Sequence, residues 1–185
     1  MRLLMNLAVA LVALTGAAVA QSTPPPADPA NTLIMELKSG KVTIQLRPDL
    51  APKHVERIKT LTKMGFYNGN KFHRVLEGFM AQTGDPTGNP PGTGGSKLGN
   101  VPAEFSANEP YRRGTIGAAR SASPDSADSQ FFICFTDFGC DSLKGKYTIW
   151  GKVTAGMQYV DTIARGEPPS TPDTIIKMYL ASDAK

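Results

Sequence analysis

One stretch of the sequence places a single cation among large apolar side chains. The segment reads KFHRVLEGFMAQTGDPTG, with Arg74 close in sequence to Phe72, Phe79 and Met80, and glycine-rich sequence follows at once. No carboxylate pair elsewhere in the chain stands in a comparable aromatic setting. Any chemistry at this segment must therefore rest on one guanidinium beside an apolar surface.

The common catalytic patterns do not fit the rest of the chain. The glycine-rich segment is not a phosphate-binding loop, because Lys97 lies between Ser96 and Leu98 and no helix pattern follows. Ser96 also lacks the G-x-S-x-G frame of a serine nucleophile. The chain contains only 2 histidines, His54 and His73. A Ser-His or Cys-His catalytic pair therefore has few options, and there are too few closely spaced ligands for a zinc site. We expect no metal and no cofactor.

Strand alternation predicts which side chains of the aromatic segments share a face. It places Phe72 with Arg74 and turns His73 away, and it sets Met80 opposite Phe79. A simpler alternative is that the aromatic side chains are core and that Arg74 reaches from them to solvent. In FMAQ, alternation places Met80 and Gln82 on the same face. In QFFICF, it places one set of residues, Gln130, Phe132 and Cys134, on the face opposite to Phe131, Ile133 and Phe135.

The elements that must position these residues are mostly short strands. The first two, LIMEL and VTIQL, flank a hairpin turn. Six more strand candidates follow, with turn residues between them: FHRVL, FMAQT, GTIGAA, QFFICF, YTIWGKV and DTIIKMYL. Apolar residues about every third position predict a helix over 51–65, in which His54 is expected to be exposed, and a second helix is predicted over 157–164. The pattern favours an antiparallel barrel or sandwich. The long loop 85–100 is expected to be functional.

The N-terminal segment has the organisation of a secretory signal peptide. Arg2 precedes an apolar run, and small residues end in Ala18-Val19-Ala20, so residues 1–20 are predicted to be removed before Gln21. The alternative is an uncleaved anchor, for which the run is short. Residues 21–31 read as a proline-rich extended linker, and the folded domain is predicted over 32–182. We expect an exported protein, periplasmic or secreted, with no stable membrane insertion after cleavage.

The charge of the chain argues against nucleic acid as a partner, and the two cysteines leave open whether a disulfide forms. The formal net charge is +4, and no basic run exceeds the pair Arg112-Arg113, so nucleic-acid binding is not predicted. Cys134 and Cys140 can form a disulfide in an exported protein, but Cys134 also ends an apolar run where a buried free thiol is common. We expect a monomer.

Four ordered blocks give the chain a family resemblance. The blocks are FHRVLEGFMAQTGDPTG, RGTIGAAR, DSQFFICF and LKGKYTIWGKV. They resemble the signature blocks of the cyclophilin peptidyl-prolyl cis–trans isomerases, and the likeness runs from about Leu33 to Tyr179. The resemblance implies a mainly β fold, an eight-stranded antiparallel closed β-barrel capped by two α-helices, with its active site on the outer surface. It also implies that substrates are proline-containing unfolded or flexible polypeptides.

The resemblance also implies roles for individual residues. Arg74 would be catalytic, Gln82 would hydrogen-bond the substrate backbone, and Gln130 would brace Arg74. Ala119 and Arg120 would offer backbone contacts to the residue before proline, and Arg120 and Tyr147 stand where the family often has asparagine and histidine. The proline pocket would be lined by Phe79, Met80, Phe132 and Leu143, with Phe79 on the pocket side despite the alternation argument.

Two other functions remain open from the sequence. One is a proline-peptide binding module or chaperone, which would have no need of a charge at the prolyl nitrogen. The other is a scaffold that recruits a partner through its basic surface and the loop 85–100. Catalysis of X–Pro isomerisation in exported proteins is the function that the sequence favours.

Overall fold

The chain folds around one strongly curved antiparallel sheet. A computed structural model describes residues 28–184, so the predicted signal peptide over 1–20 and most of the predicted linker over 21–31 lie outside the described residues. The last linker residues, Pro29–Asn31, form a 3₁₀ turn capped by Asp28 rather than an extended tether. The strands are β1 Thr32–Leu37, β2 Gly40–Leu46, β3 Arg74–Leu76, β4 Met80–Thr83, β5 Thr115–Ala118, β6 Phe131–Cys134, β7 Ile149–Ala155 and β8 Lys177–Leu180.

The eight strands form a single sheet whose two edges approach each other. The strand order is β3-β4-β6-β5-β7-β2-β1-β8, and the neighbouring strands are antiparallel. β3 and β8 are not paired directly, but a bridge between Lys71 and Thr174 joins the segments that precede them. Phe72 N–H donates to Asp173 O over 2.9 Å beside that bridge. The predicted eight-stranded antiparallel barrel is confirmed, with its seam closed by irregular backbone pairing.

Two α-helices pack against the sheet, as predicted. Helix α1, Pro52–Lys63, lies against β7 and β8, and helix α2, Met157–Asp161, lies against β2. Pro52 suits the first turn of α1 because that turn leaves its backbone N–H groups without helical partners. Met64 continues the apolar spacing in the sequence but caps the helix and is 64% exposed. The second helix is shorter than the predicted 157–164.

Alternation along the strands creates two apolar clusters on opposite faces of the sheet. Phe131 belongs to the larger cluster, inside the barrel, and Phe132 belongs to a smaller cluster on the outer face. The predicted split of QFFICF is therefore confirmed. The pairing of Phe72 with Arg74 is wrong, because Phe72 lies in the interior cluster and regular strand geometry begins only at Arg74.

Among residues 28–184, no helix is long and apolar enough to span a membrane.

Candidate active site

The outer face of the sheet carries a continuous cross-strand row that begins at Arg74. Arg74 on β3 pairs with Gln82 on β4, and Gln82 pairs in turn with Phe132 on β6. Phe132 faces Gly117 on β5, and Gly117 faces Ile149 on β7. Residues directly opposite each other on neighbouring strands point to the same face. The register therefore places one cation, one amide and one aromatic ring side by side on the outer surface.

Gly117 makes room for the ring of Phe132. A Cβ atom at this position would collide with the Phe132 ring and with the hydroxyl of Tyr111. Tyr111 stacks on Phe132 with ring centroids 5.9 Å apart and planes inclined by 20°. The ring is held between these neighbours, so it provides a fixed apolar floor for the site.

The residues that the resemblance assigns to the pocket converge on one cavity. The cavity has a volume of about 150 Å³, which is of the size of one small side chain. All the expected residues except Gln130 line it, namely Arg74, Phe79, Met80, Gln82, Ala119, Arg120, Phe132, Leu143 and Tyr147. Gln130 lines an adjoining cavity of about 290 Å³.

Arg74 is half-buried at the edge of the cavity and is held from one side. Its Nε donates to Glu167 Oε1 over 2.6 Å, and its guanidinium carbon lies 5.9 Å from the centroid of Phe79. Within residues 28–184, this is the one hydrogen bond of the guanidinium. The two terminal nitrogens therefore have free donors for a ligand.

Phe79 lies on the pocket side of the sheet together with Met80. It occupies the turn before β4, where strand alternation does not apply, and it packs against the outer cluster that contains Met80. The expected opposition of Phe79 and Met80 is therefore wrong, whereas Ala81 does lie on the other side, in the interior cluster.

The two glutamines are linked to each other and to the loop 85–100. Gln82 Nε2 donates to Gln130 Oε1 over 3.0 Å, and Gln130 Nε2 donates to the carbonyl oxygens of Gly92 and Gly94. The side chain of Gln130 thus holds Gln82 and the loop, and the bond to Arg74 expected from the resemblance is not made. Gln82 keeps its carbonyl oxygen and one N–H for a ligand.

The opposite side of the cavity is formed by Ala119 and Arg120, the two residues that directly follow β5. Ala119 N–H donates to Gln130 O over 2.9 Å, so this amide already has a partner within the fold. The Arg120 guanidinium lies 4.4 Å from the centroid of Tyr147. Its Nε and one terminal nitrogen donate to Lys146 O over 3.1 and 2.9 Å, which fixes the position of the side chain.

A disulfide lies behind the apolar wall of the cavity. Cys134 and Cys140 are bonded, with Cα atoms 6.2 Å apart, which answers the question that the sequence left open. Cys140 immediately precedes the 3₁₀ turn Asp141–Leu143, and its carbonyl accepts from Leu143 N–H over 2.9 Å. The bridge therefore ties the turn that carries Leu143 to β6.

Both histidines are buried, and neither has metal ligands around it. Burial lowers the pKa of His73, although Asp85 acts in the opposite direction, so the ring next to Arg74 is neutral at pH 7. His54 was expected to be exposed but is 3% exposed, and its Nδ1 lies 2.7 Å from Glu104 Oε2. Among residues 28–184 no group of three or more His, Cys, Asp or Glu side chains could hold a metal ion.

Asp85 gives the glycine-rich loop its shape. Its carboxylate accepts backbone N–H groups of Thr87, Gly88 and Gly92 over 2.7 to 3.0 Å. Burial opposes ionisation, but the N–H donors prevail and lower the pKa of Asp85 to about 2. The loop is thereby fixed where it can accept the hydrogen bonds of Gln130.

Sequence reasoning missed two contributors to the site. Glu167 contacts Arg74 from 93 residues away, and no motif marks it. It reaches Arg74 because Gly166 pairs with Val75 through two backbone hydrogen bonds of 2.8 and 2.9 Å. Gly117 lies within the block RGTIGAAR, but its role depends on the ring across the sheet, which a linear sequence does not show.

Comparison with known proteins places this geometry in a family. Residues 32–180 match the sequence model of the family described as cyclophilin type peptidyl-prolyl cis-trans isomerase/CLD. A probable peptidyl-prolyl cis-trans isomerase of Brucella suis biovar 1 is 51% identical, with the alignment covering 96% of this chain and 95% of that protein. A peptidyl-prolyl cis-trans isomerase of Helicobacter pylori is 39% identical over 72% of this chain and 80% of its own.

Solved structures agree with the sequence comparison. The cyclophilin AquaCyp293 from Hirschia baltica superposes with a TM-score of 0.76 at 28% identity, covering 85% of this chain and 76% of that chain. A cyclophilin type peptidyl-prolyl cis-trans isomerase of Cryptosporidium parvum, crystallised in the presence of the dipeptide ala-pro, gives a TM-score of 0.73 at 26% identity. That superposition covers 80% of this chain and 98% of the other.

Proposed function

This chain belongs to the cyclophilin-type peptidyl-prolyl cis–trans isomerases, and from that premise we propose that Arg74 is its catalytic residue. The family acts on proline-containing peptides, and the reaction is rotation about the peptide bond that precedes proline. We further propose that its natural substrates are exported proteins that are still unfolded or partly folded.

Rotation of an X–Pro bond needs no bond to be broken. Resonance gives the bond partial double-bond character, with a barrier of about 20 kcal/mol and interconversion over tens of seconds or longer. Twisting the bond ends the resonance and leaves a localised lone pair on the prolyl nitrogen. A cation close to that nitrogen stabilises the twisted state more than either planar state, which lowers the barrier.

The observation that carries the proposal is the position of Arg74 at the edge of an apolar cavity. The cavity of about 150 Å³ suits a proline ring, and its lining includes Phe79, Met80 and Phe132. The terminal nitrogens of the Arg74 guanidinium have no other partner among the described residues. A ring held in the cavity would present its nitrogen to a cation that is already in place.

The remaining residues of the cavity fix the substrate. Gln82 has a free carbonyl oxygen and N–H for the peptide backbone, and Leu143 and Tyr147 close the apolar side. Because Gln130 and the loop hold Gln82, no reorganisation of this amide is needed when substrate binds. Such preorganisation is the main source of electrostatic catalysis.

The test is the isomerisation rate of an Ala-Pro peptide with the purified protein and with Arg74→Ala. We expect the substitution to lower kcat/KM about 100-fold or more, the loss typical of removing one preorganised donor. Arg74→Lys keeps the charge without the planar fork and should lose less, and Lys177→Gln on β8 serves as a control for lost charge. If the unchanged protein bound the peptide without accelerating it, the site would be that of a binding module.

The export proposal rests on the N-terminal sequence and needs its own experiment. The mature protein should be recovered from the periplasm or the medium of the producing cell, with Gln21 as its first residue. Recovery from the cytoplasm with Met1 or Arg2 still present would refute export while leaving the isomerase activity untouched.

A further inference from the structure

The proposed proline cavity borders a second, larger cavity. The two cavities measure about 150 and 290 Å³, and they share Gln82, Ala119 and Arg120. Gln82 faces Arg74 across β3 and β4. If the prolyl nitrogen lies beside Arg74, the chain preceding proline leaves the ring there, passes Gln82 and enters the second cavity. This step rests on the proposed function of Arg74.

Arg120 stands at the junction of the two cavities with its charge held in place. Besides the two bonds to Lys146 O, its other terminal nitrogen donates to Ser121 O and Ala122 O over 2.9 and 3.3 Å. The guanidinium carbon also lies over the Tyr147 ring, 4.4 Å from its centroid. Carbonyl and aromatic partners orient a guanidinium but do not neutralise it.

The charge of Arg120 has no acidic partner within residues 28–184. Three other half-exposed arginines, Arg112, Arg113 and Arg165, each contact a carboxylate. The exposed Lys144 and Lys146 follow Leu143 on the same side of the proline cavity and add positive charge. The nearby Asp125 accepts the backbone N–H of Ala103 and Asp141 pairs with Arg112, so neither of these carboxylates contacts Arg120.

The second cavity contains one carboxylate, and that group is already used. Asp128 Oδ1 accepts from Arg57 and from the Ser96 hydroxyl, both over 2.5 Å. The carboxylate is compensated by the Arg57 guanidinium and does not balance Arg120. A ligand group that reached the junction would thus meet one uncompensated, preoriented cation.

We propose that Arg120 is a specificity-determining residue that favours substrates with an acidic side chain on the amino-terminal side of the proline. A carboxylate of the substrate completes the ion pair that the protein leaves open. Because the pair is half-exposed, its effect is modest, about twofold to fivefold in kcat/KM. The effect weakens with salt, because ions screen charges at the surface.

The experiment compares peptides that differ only in charge before proline. Two pairs place Glu or Gln at the first or at the second position before the proline, and a third peptide places Lys at the first. We expect kcat/KM for Glu to exceed that for Gln in at least one pair, with Lys the poorest substrate, and the ratio to fall at high ionic strength.

Substitutions assign the preference to Arg120. Since each variant is judged by its own Glu-to-Gln ratio, a general loss of activity does not affect the result. Arg120→Gln should bring the ratio to about one, Arg120→Lys should retain part of it, and Lys177→Gln should leave it unchanged. A ratio of one in the unchanged protein, or an unchanged ratio in Arg120→Gln, would overturn the proposal. A protein that accelerates no peptide would refute the proposed function itself.

Discussion

Arg74 is the residue on which the proposed chemistry depends, and Glu167 is the side chain that holds it. The carboxylate takes the Nε edge of the guanidinium and leaves the two terminal nitrogens directed elsewhere. Two backbone bonds between Gly166 and Val75 keep Glu167 next to β3. We therefore expect Glu167 to be a positioning residue, which acts on substrate only through Arg74.

Replacing Glu167 should slow the enzyme without abolishing it. Arg74 and Glu167 side chains are 34% and 56% exposed, so Glu167→Gln should lower kcat by about twofold to fivefold, within the 1 kcal/mol typical of exposed pairs. The measurement is kcat and KM for an Ala-Pro peptide. Glu77→Gln, which breaks the similar pair with Arg165, is the matched control. A faster Glu167→Gln enzyme would mean that the carboxylate weakens the field of Arg74 instead of aligning it.

Single residues show where sequence reasoning reached its limit. Phe131 and Phe132 were separated correctly because both lie within a regular strand, β6. Phe72 and Phe79 were misplaced by alternation because they precede β3 and β4, where the chain bends. His54 was misjudged because its partner, Glu104, lies 50 residues away and makes burial of the imidazole tolerable.

At the scale of elements, the turn Asp141–Leu143 forms one wall of the proline cavity. Leu143 in this turn packs against the outer cluster that contains Met80 and Phe132, and the disulfide joins the N-terminal cap of the turn, Cys140, to β6. Cys134 lies opposite Met80 across β4 and β6. The bridge therefore connects the wall that carries Leu143 to the floor that carries Met80.

Removing the bridge should affect substrate binding more than chemistry. In Cys134→Ala/Cys140→Ala we expect KM to rise about twofold to fivefold, the order of one apolar contact, and kcat to change less. The free energy of unfolding should fall by about 2 kcal/mol, because the closed loop is short. Ile58→Val in α1, a loss of about 1 kcal/mol at a core position, should leave KM unchanged. An unchanged KM in the double variant would show that Leu143 needs no such support.

The strands were easier to predict than their ends or their loops. Alternation and turn residues located all eight strands. Helix α2, by contrast, ends at Asp161, three residues before the end of the predicted range 157–164. The disulfide was undecided from sequence, since cysteine pairing depends on the distance between two Cα atoms. That distance is set here by the return of the chain after β6.

At the scale of the whole molecule, two carboxylates anchor irregular segments of the chain, Asp85, which is buried, and Glu104, which is half-buried. Asp85 organises the glycine-rich loop, and Glu104 accepts the backbone N–H groups of Lys53 and His54 at the start of α1. Burial opposes ionisation of Glu104, but its hydrogen bonds with His54 and the backbone prevail, so its pKa is lowered as well.

These carboxylates predict a loss of stability in acid. A lowered pKa means that the unfolded chain takes up protons first, so the stabilisation is complete above the unfolded pKa and is lost as pH falls through the folded pKa. For Asp85 the window runs from about pH 4 to pH 2, and the contribution is about 2 kcal/mol. Urea unfolding against pH should show a shallower decline in Asp85→Asn. Asp183→Asn, an exposed control, should follow the unchanged protein, and identical curves for Asp85→Asn would contradict the assignment.

The arrangement of the sheet could not be obtained from the pattern of strands alone. Periodicity allowed either a barrel or a sandwich, and the barrel came from the family resemblance. The placement of β6 between β4 and β5 brings Phe132 next to Gln82 and Gly117. Such an order reflects pairing between distant segments, which local sequence does not encode.

The two ends of the described domain lie side by side. The 3₁₀ turns Pro29–Asn31 and Ala181–Asp183 pack against each other, next to the pairing of β1 with β8. The domain can accordingly be spliced into a surface loop of a host protein as one cassette, since both junctions would need only a small opening in the host.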